Sequence, residues 1–246
     1  MTTRKFRATL RIDRLLVERG LFESRAKAQA AIAAGLVTAD DVPVLKASNE
    51  IPANAVLRAE PAHPFVSRGG IKLAAALDHF CIDPNGCVCL DVGASTGGFT
   101  DALLARGART VYAVDVGHGQ LHESLRARPE VASYEATDIR SLATLPAPPD
   151  LVVVDVAFIS LRLVLPAALA LAKPDARLVA LIKPQFEAGR KQVKKGIVRD
   201  PQIHAAVCAD IAGFVASLGC RVCGLLPSPI TGGDGNREFF IAAQRG

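Results

Sequence analysis

The chain has 246 residues, half of them hydrophobic and 22% charged, a balance that supports a substantial core and excludes a disordered chain. Its net charge is +5, and residues 1–30, with eight Lys/Arg against three acids, account for the whole excess. A basic end of this kind points to a polyanionic partner, of which nucleic acid is the commonest.

The N-terminus runs into Asp13, Glu18 and Glu23 without an uninterrupted apolar core, so it does not read as a signal peptide. Residues 11–20 read as a helix with Ile12, Leu15 and Leu16 on one face and Gly20 as its stop. Ser24 can cap a second helix over 25–34, closed by Gly35. Short strands are expected at 36–38, 42–45 and 55–59, with turns at Asp40-Asp41 and Pro52. Residues 1–60 thus form a small α+β domain. The prolines of Pro61-Ala-His-Pro64 mark a linker over 61–66, and a larger domain spans 67–246.

That larger domain alternates strand and helix. Strands are expected at 88–92, 110–115, 131–135, 151–155, 177–182, 221–226 and 238–242, and helices at 72–79, 98–106, 121–126, 161–172 and 203–218. Inner strands such as Leu151-Val-Val-Val-Asp155 are continuously apolar, as in a parallel sheet buried on both faces. The alternation predicts a doubly wound open α/β sheet. The longest apolar run, 163–172, is far short of the roughly 20 residues a membrane span requires, so a cytoplasmic protein with no membrane partner is expected. Six cysteines then read as reduced, buried thiols. Neither Cys87-x-Cys89 nor Cys220-x-x-Cys223 has a His at ligand spacing, so no metal is expected.

The segment Cys89-Leu-Asp-Val-Gly-Ala-Ser-Thr-Gly-Gly-Phe-Thr100 carries the strongest chemical signal. A buried strand ends at Asp91, a loop of small residues follows, and a helix begins. Ligands of open α/β sheets bind beyond such strand ends, where glycines admit the backbone and the helix N-terminus offers free N–H donors. The spacing is G-x-x-x-G-G rather than the G-x-G-x-x-G of dinucleotide sites, and Asp91 would repel a pyrophosphate. It suits a cofactor with an ammonium group and no phosphate, which is S-adenosylmethionine. Asp115, 24 residues on, can accept from both ribose hydroxyls, and Asp138 can hold an adenine amino group. The expected cofactor contacts are Asp91, Gly93, Ala94, Ser95, Thr96, Gly97, Gly98, Phe99, Asp115, Val116, Asp138, Ile139 and Asp155.

Four polar residues stand where a core pattern would place none: Lys72 after Ser67-Arg-Gly-Gly70, Asp155 and Lys183 at neighbouring strand ends, and Glu238 in Gly235-Asn-Arg-Glu-Phe-Phe240. They resemble the K-D-K-E tetrad of FtsJ-like RNA ribose 2′-O-methyltransferases. With Lys183-Pro-Gln-Phe-Glu187, Lys195-Gly196, Val198 and Asp200-Pro201, the chain resembles the TlyA (hemolysin A) family over nearly its whole length. The resemblance implies a seven-stranded Rossmann-like methyltransferase sheet with its last strand antiparallel, an N-terminal S4-like RNA-binding domain, and 2′-O-methylation of cytidine in 16S or 23S ribosomal RNA, free or in a subunit. A ribose hydroxyl is a poor nucleophile, and an amine partly withdrawn from water can take or steer its proton, the role expected of Lys183. Asp155 would orient Lys183, while Lys72 and Glu238 position the hydroxyl.

RNA contacts are expected from Arg11, Arg14, Arg25 and Lys27, from a flexible arm with Arg4, Lys5 and Arg7, and from Arg68. A second basic run, Arg190, Lys191, Lys194 and Lys195, sits between Gly189 and Gly196 and reads as a mobile loop that orders on substrate. With no Trp, base stacking would fall to a residue such as Phe65 or Phe158, although Phe158 reads as core. His118 and His122 read as a solvated pair on one helix face. Two other functions compete: a non-catalytic assembly factor that binds the cofactor, which the intact tetrad disfavours, and a nucleobase methyltransferase. The second would carry N/D-P-P-Y/F where this chain has Asp155-Val-Ala-Phe158.

Overall fold

The computed structural model describes residues 9–189, 192–232 and 235–246, and the chain divides into two compact units, Met1–Pro64 and Phe65–Gly246. In the first, β1 (Thr9–Arg11) leads into α1 (Ile12–Glu18) and α2 (Arg25–Ala33), followed by β2 (Val37–Ala39), β3 (Val42–Pro43), β4 (Glu50–Pro52) and β5 (Leu57–Ala59). β1 pairs antiparallel with β4, and β3-β2-β5 form a second antiparallel sheet. Ile12 and Leu16, a turn apart on α1, bury against Ala28, Ala31 and Ile32 of α2. The Ser24 hydroxyl caps α2 by accepting from the Lys27 N–H at 3.3 Å. Asp40 and Asp41 join β2 to β3 with φ of 49° and 64°, the two left-handed residues that a tight hairpin turn requires. β1 and β4 escape sequence reading because three residues are too few to show a period.

Asp13 is the exception in this small core. It is fully buried, and its carboxylate accepts from the Arg11 Nε, the Arg25 Nη2 (2.6 Å) and the Gln29 Nε2 (2.8 Å). Hydrogen bonding from Arg11, with Arg25 and Gln29, holds its pKa well below the ordinary value of 3.8 despite the opposing effect of burial.

The second unit contains α3 (Gly69–His79), β6 (Val88–Val92), α4 (Gly98–Ala105), β7 (Thr110–Val114), α5 (Glu123–Arg126), β8 (Val131–Tyr134), β9 (Leu151–Val154), α6 (Leu161–Leu171), β10 (Arg177–Ile182), α7 (Pro184–Glu187), α8 (Pro201–Ser217), β11 (Cys220–Pro227) and β12 (Phe239–Arg245). Seven strands form one sheet in the order β11-β12-β10-β9-β6-β7-β8. β12, last in the chain, runs antiparallel to both its neighbours, and the pairs among β6 to β10 are parallel. Alternate residues of the inner strands feed two cores. Leu90, Val152, Val154 and Ile182 pack with α6 and α8, while Cys89, Leu151, Val153 and Leu181 pack with α3 and α4. The chain leaves β6 toward β7 and β8, then returns to the other side of β6 at β9. The crevice opens beyond the carboxyl ends of β6 and β9, at this reversal of strand order.

Not every thiol follows the buried expectation. Cys89, Cys208 and Cys220 are buried, and burial pushes the Cys208 thiol up to about 11, but Cys81 and Cys223 are exposed. Cys223 lies at a register shift in the β11–β12 pairing, which turns it out of the alternation. Among the described residues, no helix is long and apolar enough to cross a membrane.

The Asp13 contribution has a definite sign. A carboxyl more acidic in the folded state stabilises it fully above the unfolded value near pH 4 and loses that effect as pH falls. Asp13→Asn is expected to cost the first unit about 1–2 kcal/mol at pH 7, reduced because both guanidiniums reach water. Its stability should then fall less steeply than wild type below pH 4 in urea titrations; parallel curves would refute this account.

Candidate active site

The site begins with a close approach between two helix starts. α3 opens at Gly69, three residues before the expected position, because Gly69 and Gly70 pack against the start of α4. A Cβ on Gly98 would collide with the Ser67 Oγ and lie 3.0 Å from the Gly70 N, and a Cβ on Gly70 would collide with the Phe65 ring. This contact brings Lys72, in the first turns of α3, beside the β6–α4 loop. Gly93 (φ 86°) has no room for a Cβ against the Asp155 carbonyl, and Gly97 (φ 98°) has none against Leu121 and Leu125. Ser95 also adopts a left-handed φ of 47°.

Two cavities meet at this loop. The larger, about 410 Å³, lies over the ends of β6, β7 and β9 and is lined by Gly93, Ser95, Asp115, Val116, Asp138, Ile139, Asp155 and Phe158, among others. The second, about 330 Å³, is lined by Arg68, Lys72, Gly93, Ala94, Ser95, Thr96, Gly98, Phe99, Asp155 and Lys183. Gly93, Ser95 and Asp155 border both.

Asp91, next to last in β6, is fully buried. Its Oδ2 accepts from the Thr100 hydroxyl at 2.7 Å, while its Oδ1 has no partner among the described residues. Burial first, then the nearby Asp155 charge, pushes its pKa up to about 7, against the Thr100 hydrogen bond. Asp115 accepts from the Ser95 N–H at 2.8 Å and the Gly117 N–H at 2.7 Å, which fixes its carboxylate at the cavity wall. Asp138 lines the same cavity, but Arg140 grips its carboxylate at 2.6 Å and holds its pKa down, so this charge is already matched.

The four tetrad residues form two ion pairs. The Lys72 Nζ lies 2.5 Å from the Glu238 Oε2, and both side chains are almost wholly buried. The Lys183 Nζ lies 2.6 Å from the Asp155 Oδ1, an oxygen that has no aligned hydrogen bond. Lys72, Asp155 and Lys183 all face the second cavity, with Glu238 behind Lys72.

Phe158 corrects the sequence expectation. It is 91% exposed, with φ of 64° and its ring 5.1 Å from that of Phe186. The left-handed backbone turns the side chain outward, and nothing in an apolar run signals that turn. Phe65 packs instead into the core under α3. Sequence reading also missed Gln120, which lines the larger cavity and accepts from the Ser95 hydroxyl at 3.2 Å, and Glu135, which holds that segment by accepting from the Gln120 and Leu121 N–H groups. His118 and His122 do not share a helix face: α5 starts at Glu123, and His122 caps it by accepting from the Ser124 N–H.

Of the basic residues, Arg11, Arg14 and Arg25 are exposed and Lys27 is half-buried in an ion pair with Glu23. Arg68 is exposed at the N-terminus of α3. Lys194 and Lys195 are exposed, in the part of the expected loop that lies within the described residues. Lys194 and Ile197 bond reciprocally around the left-handed Lys195-Gly196 pair. Asn236 ties that turn down by accepting from the Val198 N–H and donating to the Gly196 carbonyl, and the ring of buried His204 bonds the Val198 carbonyl at 2.9 Å. Arg4, Lys5, Arg7, Arg190 and Lys191 lie outside the described residues.

A seven-stranded mixed sheet of this order, with its last strand antiparallel, a glycine-loop crevice and two lysine–carboxylate pairs, defines a methyltransferase. The FtsJ-like methyltransferase model matches residues 65–245 and the S4 domain model matches 10–57, so the chain belongs to the FtsJ-like methyltransferase family and carries an S4 domain. It is 47% identical to the Bacillus subtilis protein YqxC, provisionally described as an rRNA methyltransferase, over 94% of this chain and 84% of that one. It is 44% identical to the 16S/23S rRNA (cytidine-2′-O)-methyltransferase TlyA of Mycobacterium tuberculosis, over 94% of this chain and 88% of the relative. A solved structure from Streptococcus thermophilus, provisionally described as a hemolysin, is 40% identical with a TM-score of 0.76, covering 97% of this chain and 89% of that one.

Asp91 is held at a cost to folding without ligand. A carboxyl whose acidity is weakened on folding destabilises the folded state increasingly as pH rises above its unfolded value, fully so above about pH 7. Asp91→Asn is therefore expected to raise stability without ligand by on the order of 2 kcal/mol at pH 8, shrinking toward pH 4. Thermal unfolding across that range checks this, and a mutant less stable at pH 8 would contradict it.

Proposed function

We propose that this chain methylates a ribose 2′-hydroxyl of ribosomal RNA, on cytidine in 16S or 23S RNA, with S-adenosylmethionine as the donor and in the cytoplasm. The observation that carries this reading is the pair of ion pairs, Lys72–Glu238 and Lys183–Asp155, facing one cavity beside the glycine loop. S-adenosylmethionine, when bound, supplies an electrophilic methyl group. The residues present fit it. The unpartnered Asp91 Oδ1 suits its ammonium group, Asp115 its ribose hydroxyls, and Val116 with Ile139 its base. Gly93, Ala94, Ser95, Thr96, Gly97, Gly98 and Phe99 form the loop around its middle, and Asp155 borders both reactants. Asp138, already held by Arg140, bounds the base end of the cavity.

The chain's own groups then act on the acceptor. Lys183, once it has released to solvent the proton it carries in its ion pair, meets the 2′-hydroxyl as a neutral amine and takes its proton as the new O–C bond forms and the sulfonium–methyl bond breaks, and Asp155 anchors the resulting ammonium. Lys72, kept in place by Glu238, holds the hydroxyl from the other wall. Proton transfer of this kind contributes on the order of 10²–10⁴-fold, and alignment of the two reactants supplies much of the remainder. Exposed Phe158 offers a face on which the acceptor base stacks. Arg11, Arg14, Arg25 and Lys27 in the S4 domain, together with Arg68, Lys194 and Lys195, bind RNA phosphates, and Arg4, Lys5, Arg7, Arg190 and Lys191 extend the same charge. The relative's printed activity on ribosomal cytidines supports the choice of acceptor.

Lys183→Ala is expected to abolish methyl transfer while leaving cofactor affinity within a few-fold. Radiolabelled transfer to undermethylated ribosomal RNA, with calorimetry on the same preparation, measures both. Loss of cofactor binding would overturn the Lys183 role. Transfer by wild type to a base, detected by nucleoside mass spectrometry, would overturn the ribose acceptor, and no transfer at all would leave a non-catalytic assembly factor.

A further inference from the structure

Glu187 ends the short helix that follows Lys183, and the reading above gives it no task. Both of its carboxylate oxygens are taken up by the neighbouring connection between β9 and α6. The Oε2 accepts from the Ser160 hydroxyl at 2.6 Å and the Oε1 from the Leu161 N–H at 2.8 Å. Ser160 itself caps α6 by accepting from the Arg162 N–H at 3.1 Å, so Glu187 closes a network at that helix start. One carboxylate therefore fastens the segment after Lys183 to the segment after Asp155.

The fastened connection contains Phe158. A bulky side chain at a φ of 64° is in a conformation that persists only where its surroundings impose it. The connection is held at its start by the Asp155 N–H, which donates to the Val92 carbonyl at 2.9 Å, and at its end by Glu187. Between these anchors Phe158 stands out at the cavity mouth, touching only the ring of Phe186 among the aromatic side chains described. Phe186 precedes Glu187, so the same short helix supplies both the anchor and the ring contact.

We infer that Glu187 is a positioning residue that sets Phe158 at the rim of the larger cavity, just past Asp155 and Ala157 where that cavity meets the one lined by Lys72 and Lys183, as the shelf for the base whose ribose is methylated. This rests on the ribose methylation reading for its consequence, but the positioning itself is measurable without RNA. The chain has no Trp, so Phe158→Trp installs a single fluorescent reporter. Glu187→Ala in that background is expected to lower the anisotropy of the introduced indole and raise its quenching by acrylamide about 2-fold. Glu187→Gln, which keeps an acceptor for the Leu161 N–H and can reverse the Ser160 bond, restores both. Ser160→Ala, which removes one of the two bonds, serves as a second variant should Glu187→Ala not fold, with a smaller change in the same direction. Unchanged anisotropy and quenching in the folded variants would overturn the inference.

In the transfer assay, Glu187→Ala is expected to lower kcat about 10-fold and Glu187→Gln less than 3-fold, with S-adenosylmethionine affinity unchanged within 3-fold. The double variant Glu187→Ala with Phe158→Ala should lose no more than about 2-fold beyond the worse single variant, because both act through one ring. Multiplying losses, or a parallel loss of cofactor affinity, would mean that Glu187 only supports the fold. Absence of ribose methylation by the wild type would refute the proposed reaction while the fluorescence result stands or falls on its own.

Discussion

The geometry of the site depends on one contact, the approach of the α3 start to the α4 start with only the Ser67 hydroxyl beside the glycines. Gly69, Gly70 and Gly98 have no Cβ to separate the two backbones, and the Phe65 ring fills the space behind Gly70. Because α4 follows the loop after β6, anything fixed to α3 is fixed to that loop. Lys72 is carried to the second cavity in this way, from a helix that precedes the whole sheet. Sheet and loop together position the remaining groups, since Asp91, Asp115, Asp155 and Lys183 all lie at or just past ends of parallel strands.

Charge within that frame is matched pair by pair. Taking an ammonium or carboxylate out of water is costly, and each tetrad residue has an opposite charge at 2.5–2.6 Å. Lys72 comes from the first helix of the unit and Glu238 immediately precedes its last strand, so the pair forms only when the sheet is complete. Asp91 lacks such a partner. Its one satisfied oxygen and its weakened acidity mark a carboxylate that folding alone leaves incompletely paired, which is the property a cationic ligand would relieve.

The S4 domain uses a buried carboxylate differently. Asp13 orients guanidiniums whose outer faces remain in water, so a single acid in a small core arranges a basic surface. In the larger unit, Asn236 and His204 do comparable work on uncharged backbone groups. They hold the Lys194–Ile197 turn and so present Lys194 and Lys195 from an ordered loop. Basic side chains are legible in a sequence, but the groups that aim them are ordinary polar residues far away in the chain.

Much of the fold was legible because its signals are local and periodic. The apolar runs of β6 and β9, the small-residue loop from Gly93 to Gly98 and the acids at strand ends follow from two-faced burial and from backbone freedom at glycine, which act over a few residues. The candidate tetrad was readable as four polar residues out of pattern, and the resemblance grouped them. Tertiary structure alone decided how they pair, because Lys72 and Glu238 are 166 positions apart and no local rule links them. It also decided that Phe158 faces outward, that Arg140 neutralises Asp138, and that a buried acid lies beneath Arg11 and Arg25. Backbone dihedrals and counter-ion choice are set by whatever the completed fold brings within a few ångströms, and the order of residues along the chain does not contain that distance.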